Sequence, residues 1–292
     1  MILVTGATGV AGSQVVHGLV ALGAPVRALV RDREKAGSLF SDDVELVVGD
    51  FAEPESVRAA VRGAEAVLLS CADDPRRIEW EASAIDSAVA AGVARVVRLS
   101  TVGAAPDAPV AFWRWHGEVE QRLRESEVPS VILESSFYMS NLYDAAGTVG
   151  QEGRLYAPAG DARVAMIDPR DVGAVAAAVL TGAGDDGQTY VLTGPDAITW
   201  ARVAAELSVA TGRRVEFVDV PYAAARSGML ESGLPDRVAD EVVKVFQQLR
   251  QGVAEEVTDH VESLTGRPPT PFAVFARDNA RVFEANPLAA AR

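Results

Sequence analysis

The sequence is poor in the residues that build disulfide frameworks and metal clusters. Cys71 is the only cysteine among 292 residues, and there are three histidines. A single thiol excludes a disulfide framework and a thiolate metal cluster, and no metal site is predicted. Lysine is almost absent as well, because Lys35 and Lys244 are the only two. This scarcity restricts the reactions in which a lysine side chain could take part.

Long apolar runs and basic clusters are also missing. No stretch of about 18 apolar residues occurs, so no membrane span is predicted. The first strand is predicted to begin at Ile2, so a signal peptide is not expected and a cytoplasmic location follows as the default. The net charge of −14 argues against a nucleic-acid surface, which needs clustered lysine and arginine. The length allows one large domain, or a large and a smaller one.

A glycine-rich turn lies at the start of the chain. A short apolar strand at residues 2–4 runs into TGATGVAG, and an amphipathic stretch at 10–22 follows. Gly6 permits the turn, Gly9 lets the backbone approach a pyrophosphate, and Gly12 lets the helix lie close to the sheet. Free N–H groups at the helix N-terminus can then surround an anion. An ordinary tight turn is the alternative, and the strand–turn–helix context favours a dinucleotide site.

Apolar strands alternate with helical patterns in the first half. Strands are predicted at 2–4, 26–30, 44–48, 66–69, 93–99 and 131–133, and helices at 10–22, 33–40, 54–61, 78–91 and 113–124. Continuous apolar strands between helices indicate a parallel sheet that is covered on both faces. Right-handed crossovers predict an α/β, doubly wound (Rossmann) domain with ligands at the carboxyl ends of its strands.

The second half is predicted to form a smaller α/β subdomain on the substrate side. Residues 138–165 show no clear period and are expected to be irregular, and a strand at 166–167 precedes a helix capped by Asp171. Further strands are predicted at 189–193 and 215–220, and helices at 200–211, 222–231, 235–251 and 271–283. The Rossmann domain is assigned to 1–137 plus about 164–193, and the subdomain to 138–163 plus 194–292.

Eight segments spread over the chain are similar to one known family. They are TGATGVAG, RALVRDREKA, VVGDF, AAGVARVVRLST, WHGEVEQRLRESEVPSVIL, DPRDVGAVAAAVL, YVLTGPDAIT and VESLTGRPPTPFAVFARDNARVF. On these motifs the chain resembles the NmrA-like group of atypical short-chain dehydrogenases/reductases over nearly its whole length. The resemblance implies NAD(P)H binding. It also implies either reduction of quinones and other conjugated acceptors or a redox-sensing regulatory role.

The predicted cofactor residues follow the strand ends. They are Gly6, Thr8, Gly9, Val10, Ala11, Gly12, Arg31, Lys35, Asp50, Phe51, Ser70, Cys71, Ala72, Ser100, Thr101, Ser136 and Phe137. A cation at the end of the second strand accepts the 2′-phosphate of NADP(H), whereas an acid there binds the ribose of NAD(H). Arg31, with Lys35 close behind, therefore favours NADP(H), and Asp32 keeps NAD(H) open. The resemblance implies that Asp50 and Phe51 flank the adenine.

The usual proton-donating pair of short-chain reductases is absent. Those enzymes carry a tyrosine and, four residues later, a lysine. By alignment, Phe112 and His116 stand at these positions, and neither Lys35 nor Lys244 can replace the lysine. His116 is the candidate catalytic residue, since an imidazole titrates near neutrality and could donate a proton or bond a ribose hydroxyl. A packed core histidine is the alternative.

Two functions are compatible with these features. The first is an NADPH-dependent reductase of a planar or conjugated small molecule, such as a quinone or an enone. The second is a non-catalytic NADP(H)-sensing regulator, and epimerisation or dehydration is a remaining alternative. The predicted substrate residues are Glu134, Tyr138, Asn141 and Tyr143, with Glu134 either binding a polar substrate or forming a scaffold salt bridge. A monomer and a homodimer are both compatible with the sequence.

Overall fold

Strands and helices alternate from the first residues onward. In this computed structural model, which describes residues 1–284, the strands are β1 (Ile2–Val4), β2 (Val26–Val30), β3 (Val44–Val48), β4 (Ala66–Leu69), β5 (Arg95–Thr101), β6 (Ser130–Ser135), β7 (Arg154–Ala157), β8 (Arg163–Val164), β9 (Thr189–Leu192), β10 (Ile198–Thr199) and β11 (Glu216–Asp219). The helices are α1 (Val10–Ala21), α2 (Arg33–Gly37), α3 (Pro54–Val61), α4 (Arg77–Ala91), α5 (Ala111–Arg124), α6 (Ala146–Glu152), α7 (Pro169–Leu180), α8 (Trp200–Thr211), α9 (Tyr222–Glu231), α10 (Asp236–Leu249), α11 (His260–Thr265) and α12 (Phe272–Asp278). Short 3₁₀ helices cover Met139–Ala145 and Ala280–Phe283. Among the helices of residues 1–284, none is long and apolar enough to cross a membrane.

Seven parallel strands within residues 1–284 form the main sheet, in the order β3-β2-β1-β4-β5-β6-β9. Ile2 of β1 pairs with Val26 of β2 on one side and with Ala66 of β4 on the other. The strand order therefore reverses between β1 and β4, which is the topological switch point of a doubly wound sheet. The predicted Rossmann architecture is confirmed. The bounds of β1 to β4 and of α3 agree with the sequence prediction, and β5 begins two residues later than expected.

Helices cover both faces of this sheet. On one face α1 and α7 pack on a core that includes Val4 and Leu68. On the other face α3, α4 and α5 pack on a core that includes Leu3 and Val67. Successive strand residues point to opposite faces, so neighbouring side chains are divided between the two cores. Burial on both faces is the reason that these strands are continuous apolar runs in the sequence.

A third core, called the Trp200 core, lies outside the sheet around the fully buried Trp200 of α8. It includes Met139, Leu155 and Phe275, and two small ladders border it: β7 pairs with β11, and β8 pairs with β10. The prediction that 138–165 is irregular was wrong, because α6, β7 and β8 lie there. Their partners are distant in sequence, so local periodicity gave no signal. The division into two domains stays a proposal, and 285–292 of the second range lie outside the described residues.

Two further predictions need correction near α7. The expected strand at 166–167 is a single bridge between Tyr138 and Ile167. The cap of α7 is Asp168, whose Oδ1 accepts from the Arg170 N–H at 2.8 Å, whereas Asp171 binds the N–H and hydroxyl of Thr270. Pro169 occupies the first turn, where its missing N–H costs no hydrogen bond.

The helix expected at 271–283 ends at Asp278 and is followed by a 3₁₀ turn.

The helices α1 and α7 cross at glycine residues. A Cβ atom on Gly173 would overlap the Cβ of Gln14 and would lie 2.7 Å from the backbone carbonyl carbon of that residue. A Cβ on Gly18 would lie 3.0 Å from the Cβ of Ala177. Backbone atoms cannot move aside as easily as the end of a long, flexible side chain can. The position of α1, and of the glycine-rich turn at its N-terminus, therefore depends on this close crossing.

Gly173→Ala is expected to lower the free energy of unfolding by about 1–3 kcal/mol, because the added methyl forces α1 and α7 apart. Urea denaturation followed by circular dichroism measures the change. Gly147→Ala in α6 is the matched control, since its Cβ would meet nothing within 4 Å. Alanine should there stabilise the helix by up to about 1 kcal/mol. Similar effects of the two substitutions would contradict a crossing that requires glycine.

Candidate cofactor and active site

The ends of β1 and β4 are held together at the switch point. The hydroxyl of Thr5 donates to the carbonyl oxygen of Leu68 at 2.9 Å and accepts from the N–H of Ser70 at 2.9 Å. Gly6 follows with φ +60°, and a Cβ there would lie 2.8 Å from the Ser70 carbonyl oxygen. Beyond these contacts the two chain segments diverge to opposite faces of the sheet, which forms the crevice where such folds bind ligands.

The glycine-rich turn aims the N-terminus of α1 at this crevice. The Gly9 N–H closes the turn on the Gly6 carbonyl oxygen at 2.9 Å, and a Cβ on Gly12 would overlap that same oxygen. The first turn of α1 has no side-chain cap and no acidic residue. The N–H groups of Val10, Ala11 and Gly12 are thus available to an anion, as at other helix N-termini. Thr8 is exposed at the rim of the turn.

Asp32 is engaged as a helix cap. Its Oδ1 accepts from the Lys35 N–H at 3.0 Å, which starts α2, and the Arg33 guanidinium donates to the Leu46 carbonyl oxygen at 3.0 Å. Arg31 is exposed, and within residues 1–284 its guanidinium has no hydrogen bond or ion pair. The Lys35 ammonium is exposed and likewise unpaired in that part of the chain. The end of β2 therefore presents two cations, while the nearest carboxylate is occupied by the backbone.

The residues predicted at the ends of β3 and β4 border the same crevice. Asp50 accepts from the Ala52 N–H at 2.9 Å, and the half-buried Phe51 packs against the core beneath α3 and α4. Cys71 follows Ser70 and is half-buried, while Ala72 is exposed. Burial raises the pKa of the Cys71 thiol to about 12. The thiol stays protonated at neutral pH, which fits a packing role better than a redox role.

The predicted residues beyond β5 and β6 have different surroundings. Thr101 is half-buried at the end of β5. The hydroxyl of Ser136 is buried and has no hydrogen-bond partner among the described residues. Phe137 packs edge-on against Trp200, with 5.8 Å between ring centroids, so it belongs to the Trp200 core. Ser100 points instead into a buried cluster beneath α5.

That cluster consists of charged side chains between β5, α4 and α5. Arg98 and Glu81 have no exposed surface, and their ion pair has an N–O distance of 3.0 Å. Arg77, 2% exposed, binds the other oxygen of Glu81 at 2.9 Å. Burial would raise the pKa of Glu81, but the two guanidinium groups hold it below its usual value. The sequence reasoning missed this cluster, although an arginine within the apolar run VVRLS was a signal for it.

His116 lies within this cluster. Its Nε2 is 2.9 Å from Nη1 of Arg77, and its Nδ1 is 3.3 Å from the hydroxyl of Ser100. Since a guanidinium can only donate, Nε2 accepts from Arg77, while Nδ1 lies 3.3 Å from both Nη2 of Arg98 and the hydroxyl of Ser100, which donates to Glu120. Burial, then Arg77 and Arg98, lower the pKa of His116 well below 6.5. The neutral ring argues against an imidazolium acid at pH 7, and a role of His116 in the reaction stays a prediction.

The four predicted substrate residues do not lie together. Tyr138 is at the end of β6, its hydroxyl 3.5 Å from that of Ser135, and Asn141 is exposed in the following 3₁₀ helix. Tyr143 donates to Oδ1 of Asn279 at 2.8 Å and stacks on Phe275. Tyr138 and Asn141 therefore stay candidates for contact with substrate, while Tyr143 is committed to the packing of the C-terminal helices.

Glu134 points beneath α5. Side chains alternate along β6, so Glu134 shares the face of Ile132, which packs in the α5 core, and it lies opposite Ser100 in register. Within residues 1–284 it forms no ion pair, so the scaffold salt bridge considered from the sequence is not made there. Burial, and then the neighbouring carboxylate of Glu120, raise the pKa of Glu134 from 4.5 to about 7.

Two cavities lie away from the switch point. One of about 430 Å³ lies against α5, and one of about 150 Å³ lies between α8 and α12. The first is lined by Ala104, Ala105, Pro106, Gly117, Glu120, Gln121, Arg124 and Glu125. Neither includes a residue of the glycine-rich turn, so topology and free N–H groups, rather than cavity volume, identify the cofactor crevice. No group of three or more potential metal ligands occurs among the residues that the structure describes.

Comparison with known proteins agrees with this geometry. The model of the NmrA-like family matches residues 1–266. The chain belongs to the NmrA-like family. An NAD(P)H azoreductase of Xenophilus azovorans is 38% identical over 285 residues, which cover 98% of this chain and 100% of that protein. A (4-alkanoyl-5-oxo-2,5-dihydrofuran-3-yl)methyl phosphate reductase of Streptomyces griseus is 38% identical over 284 residues, 97% and 99% of the two chains.

A solved structure resembles this NmrA-like protein over almost the whole chain. It is the NADPH-dependent quinone oxidoreductase QOR2 of Escherichia coli in complex with NADPH. The TM-score is 0.87 at 28% sequence identity, with 95% of this chain and 99% of that chain covered. The family resemblance inferred from the motifs is therefore confirmed.

Glu134→Gln is expected to raise the free energy of unfolding at pH 8 by about 1–3 kcal/mol, with little effect at pH 5. Between pH 4.5 and about 7 the folded wild type holds a proton that the unfolded chain has released. The free energy of unfolding of the wild type therefore falls as the pH rises through this window. The glutamine variant has no titrating carboxyl group at position 134, so its free energy of unfolding does not fall for this reason. Urea denaturation at the two pH values measures the difference.

Glu127→Gln provides the control for this experiment, because Glu127 is exposed in the turn between α5 and β6. This variant should leave stability nearly unchanged at both pH values. A gain of equal size at pH 5 and pH 8 in Glu134→Gln would contradict a carboxyl group that titrates near neutrality.

Proposed function

We propose that the protein is an NADPH-dependent reductase that delivers a hydride to a planar, conjugated or aromatic acceptor without the usual tyrosine and lysine. The observation that carries the proposal is the end of β2. There Asp32 is bound to the backbone, while Arg31 and Lys35 have no side-chain partner within residues 1–284, at the end of the strand that pairs with β1. The names of the relatives support the choice of acceptor, since they denote reduction of azo, furanone and quinone compounds.

The crevice fits a dinucleotide phosphate. The N–H groups at the start of α1 would hold the pyrophosphate, and Arg31 with Lys35 would hold the 2′-phosphate. Asp50 and Phe51 would border the adenine, and the ends of β4 and β5 would border the nicotinamide half. When bound, the nicotinamide supplies a hydride. The chain's own part is to orient the reacting ring against the acceptor and to exclude water.

The acceptor must need little acid assistance. Phe112 packs edge-on against Trp115, with 5.5 Å between ring centroids, and a phenyl ring cannot protonate an alkoxide. His116 is neutral and engaged with Arg77 and Ser100. Quinones and similar acceptors spread the arriving negative charge over a conjugated system, so they can accept the hydride without a proton donor beside them. Tyr138 and Asn141 are proposed to contact the acceptor at the end of β6.

Arg31→Ala is expected to weaken NADPH binding by roughly 1.5–3 kcal/mol and to leave NADH binding nearly unchanged, because only NADPH carries the phosphate that the guanidinium bonds. Isothermal titration with each cofactor measures both affinities. Arg62→Ala is the matched control, as it removes an exposed arginine at the end of α3. Equal losses for the two cofactors, or tighter binding of NADH by the wild type, would overturn the preference for NADPH.

NADPH consumption under anaerobic conditions is expected with quinones and other conjugated acceptors, whereas aliphatic ketones should react poorly. The reason is that no phenol and lysine ammonium are available to protonate an unactivated alkoxide. The decrease of NADPH absorbance with time measures turnover. Efficient reduction of simple ketones would contradict the proposal. Tight NADPH binding without turnover over a broad panel of acceptors would favour the NADP(H)-sensing regulator.

A further inference from the structure

The helix that carries Phe112 and His116 lacks an N-terminal cap of its own. Val110 stands at the cap position of α5 and makes no side-chain hydrogen bond, and the first turn contains no acidic residue. The first N–H groups of a helix have no partner inside the helix. Val110 is fully buried, and Ala111 and Phe112 are half-buried, so water reaches these groups only in part. An acceptor from another part of the chain can replace the missing cap.

Glu241 of α10 provides this acceptor. Its Oε2 accepts from the N–H of Ala111 at 2.5 Å, across a sequence separation of 130 residues. Its Oε1 accepts from Nζ of Lys244 at 2.8 Å. The Glu241 side chain is only 9% exposed, and the positive end of the α5 dipole attracts its negative charge.

The hairpin formed by α9 and α10 also packs away from α5, since Leu249 and Phe246 join the Trp200 core and Arg250 pairs with Asp219 at 2.8 Å. None of the ten residues of α9 is buried, and α10 buries Ala239, Glu241 and Leu249. Of these three, Glu241 alone is charged. The remaining contacts of α10 with α5 are the stacking of Arg237 on Trp115 at 5.4 Å and the packing of Val245 in the small apolar cluster around Trp113.

We propose that Glu241 is a positioning residue, which couples the docking of the α9–α10 hairpin to the end of α5 that carries Phe112 and His116. A buried carboxylate loses hydration and is stable there only while its partners are in place. An apolar residue would pack there without that penalty, whereas Glu241 links the docked hairpin to the start of α5 through one hydrogen bond. The inference rests on the proposed function, because the site that α5 borders is the one assigned to the acceptor.

Hydrogen exchange of the first turn of α5 tests the contact directly, without any reaction. Glu241→Ala is expected to raise exchange in peptides covering 108–116 by about 10- to 100-fold, as for loss of a hydrogen bond to a charged group. Glu241→Gln keeps an acceptor oxygen and should restore much of the protection. Glu231→Ala is the control, because it removes the same charge from an exposed position at the end of α9.

Kinetics with NADPH and a quinone test the positioning role. Glu241→Ala should lower kcat/KM for the quinone by about tenfold or more, with the NADPH dissociation constant unchanged and with partial rescue in Glu241→Gln. Unchanged exchange at 108–116, a rise spread over the whole chain, or unchanged quinone kinetics would each overturn the proposal. Absence of quinone turnover in the wild type, together with the local change in exchange, would instead refute the proposed function and leave the cap in place.

Discussion

A guanidinium group without exposed surface lies in the central part of the sheet, and the placement of two helices depends on it. A charge buried at Arg98 is tolerated only if carboxylates meet it, since an unpaired buried ion is strongly destabilising. Glu81 of α4 meets it at 3.0 Å, and Oε1 of Glu120 on α5 lies 3.8 Å away. Arg77 then balances the second oxygen of Glu81. These buried ion pairs help to set how α4 and α5 lie against β5 and against each other.

The same cluster limits which side chain can occupy position 116. His116 lies between Arg77 and Arg98, and both guanidinium groups oppose its protonation. A lysine at position 116 would bring a third cation into this space, where like charges and burial both disfavour the charged form. A neutral histidine at this position is therefore compatible with the two arginines, whereas a charged lysine is not. The candidate site beside His116 is therefore suited to a reaction that needs no strong acid.

Polar contacts also join the sheet to the C-terminal helices. Arg170 in the first turn of α7 binds both Asp168 and Asp278, at 2.7 and 2.9 Å, and Asp171 holds the N–H and hydroxyl of Thr270. These contacts anchor α12 firmly beside the end of β6. The α9–α10 hairpin is held by the Arg250–Asp219 ion pair, by Leu249 and Phe246 in the Trp200 core, and by the hydrogen bond from α5 to Glu241.

The sequence by itself determined the sheet, the glycine-rich turn and the cations after β2. These features are local: apolar runs, glycine spacing and residues at strand ends are legible along the chain. Tertiary structure alone decided that Asp32 is occupied as a cap, that Glu134 points beneath α5, and that β7 finds its partner in β11. It also decided the state of His116 and the cap from Glu241, because each depends on groups distant in sequence. Hydrogen bonds and charges act between neighbours in space, and periodicity along the chain does not record which neighbours those are.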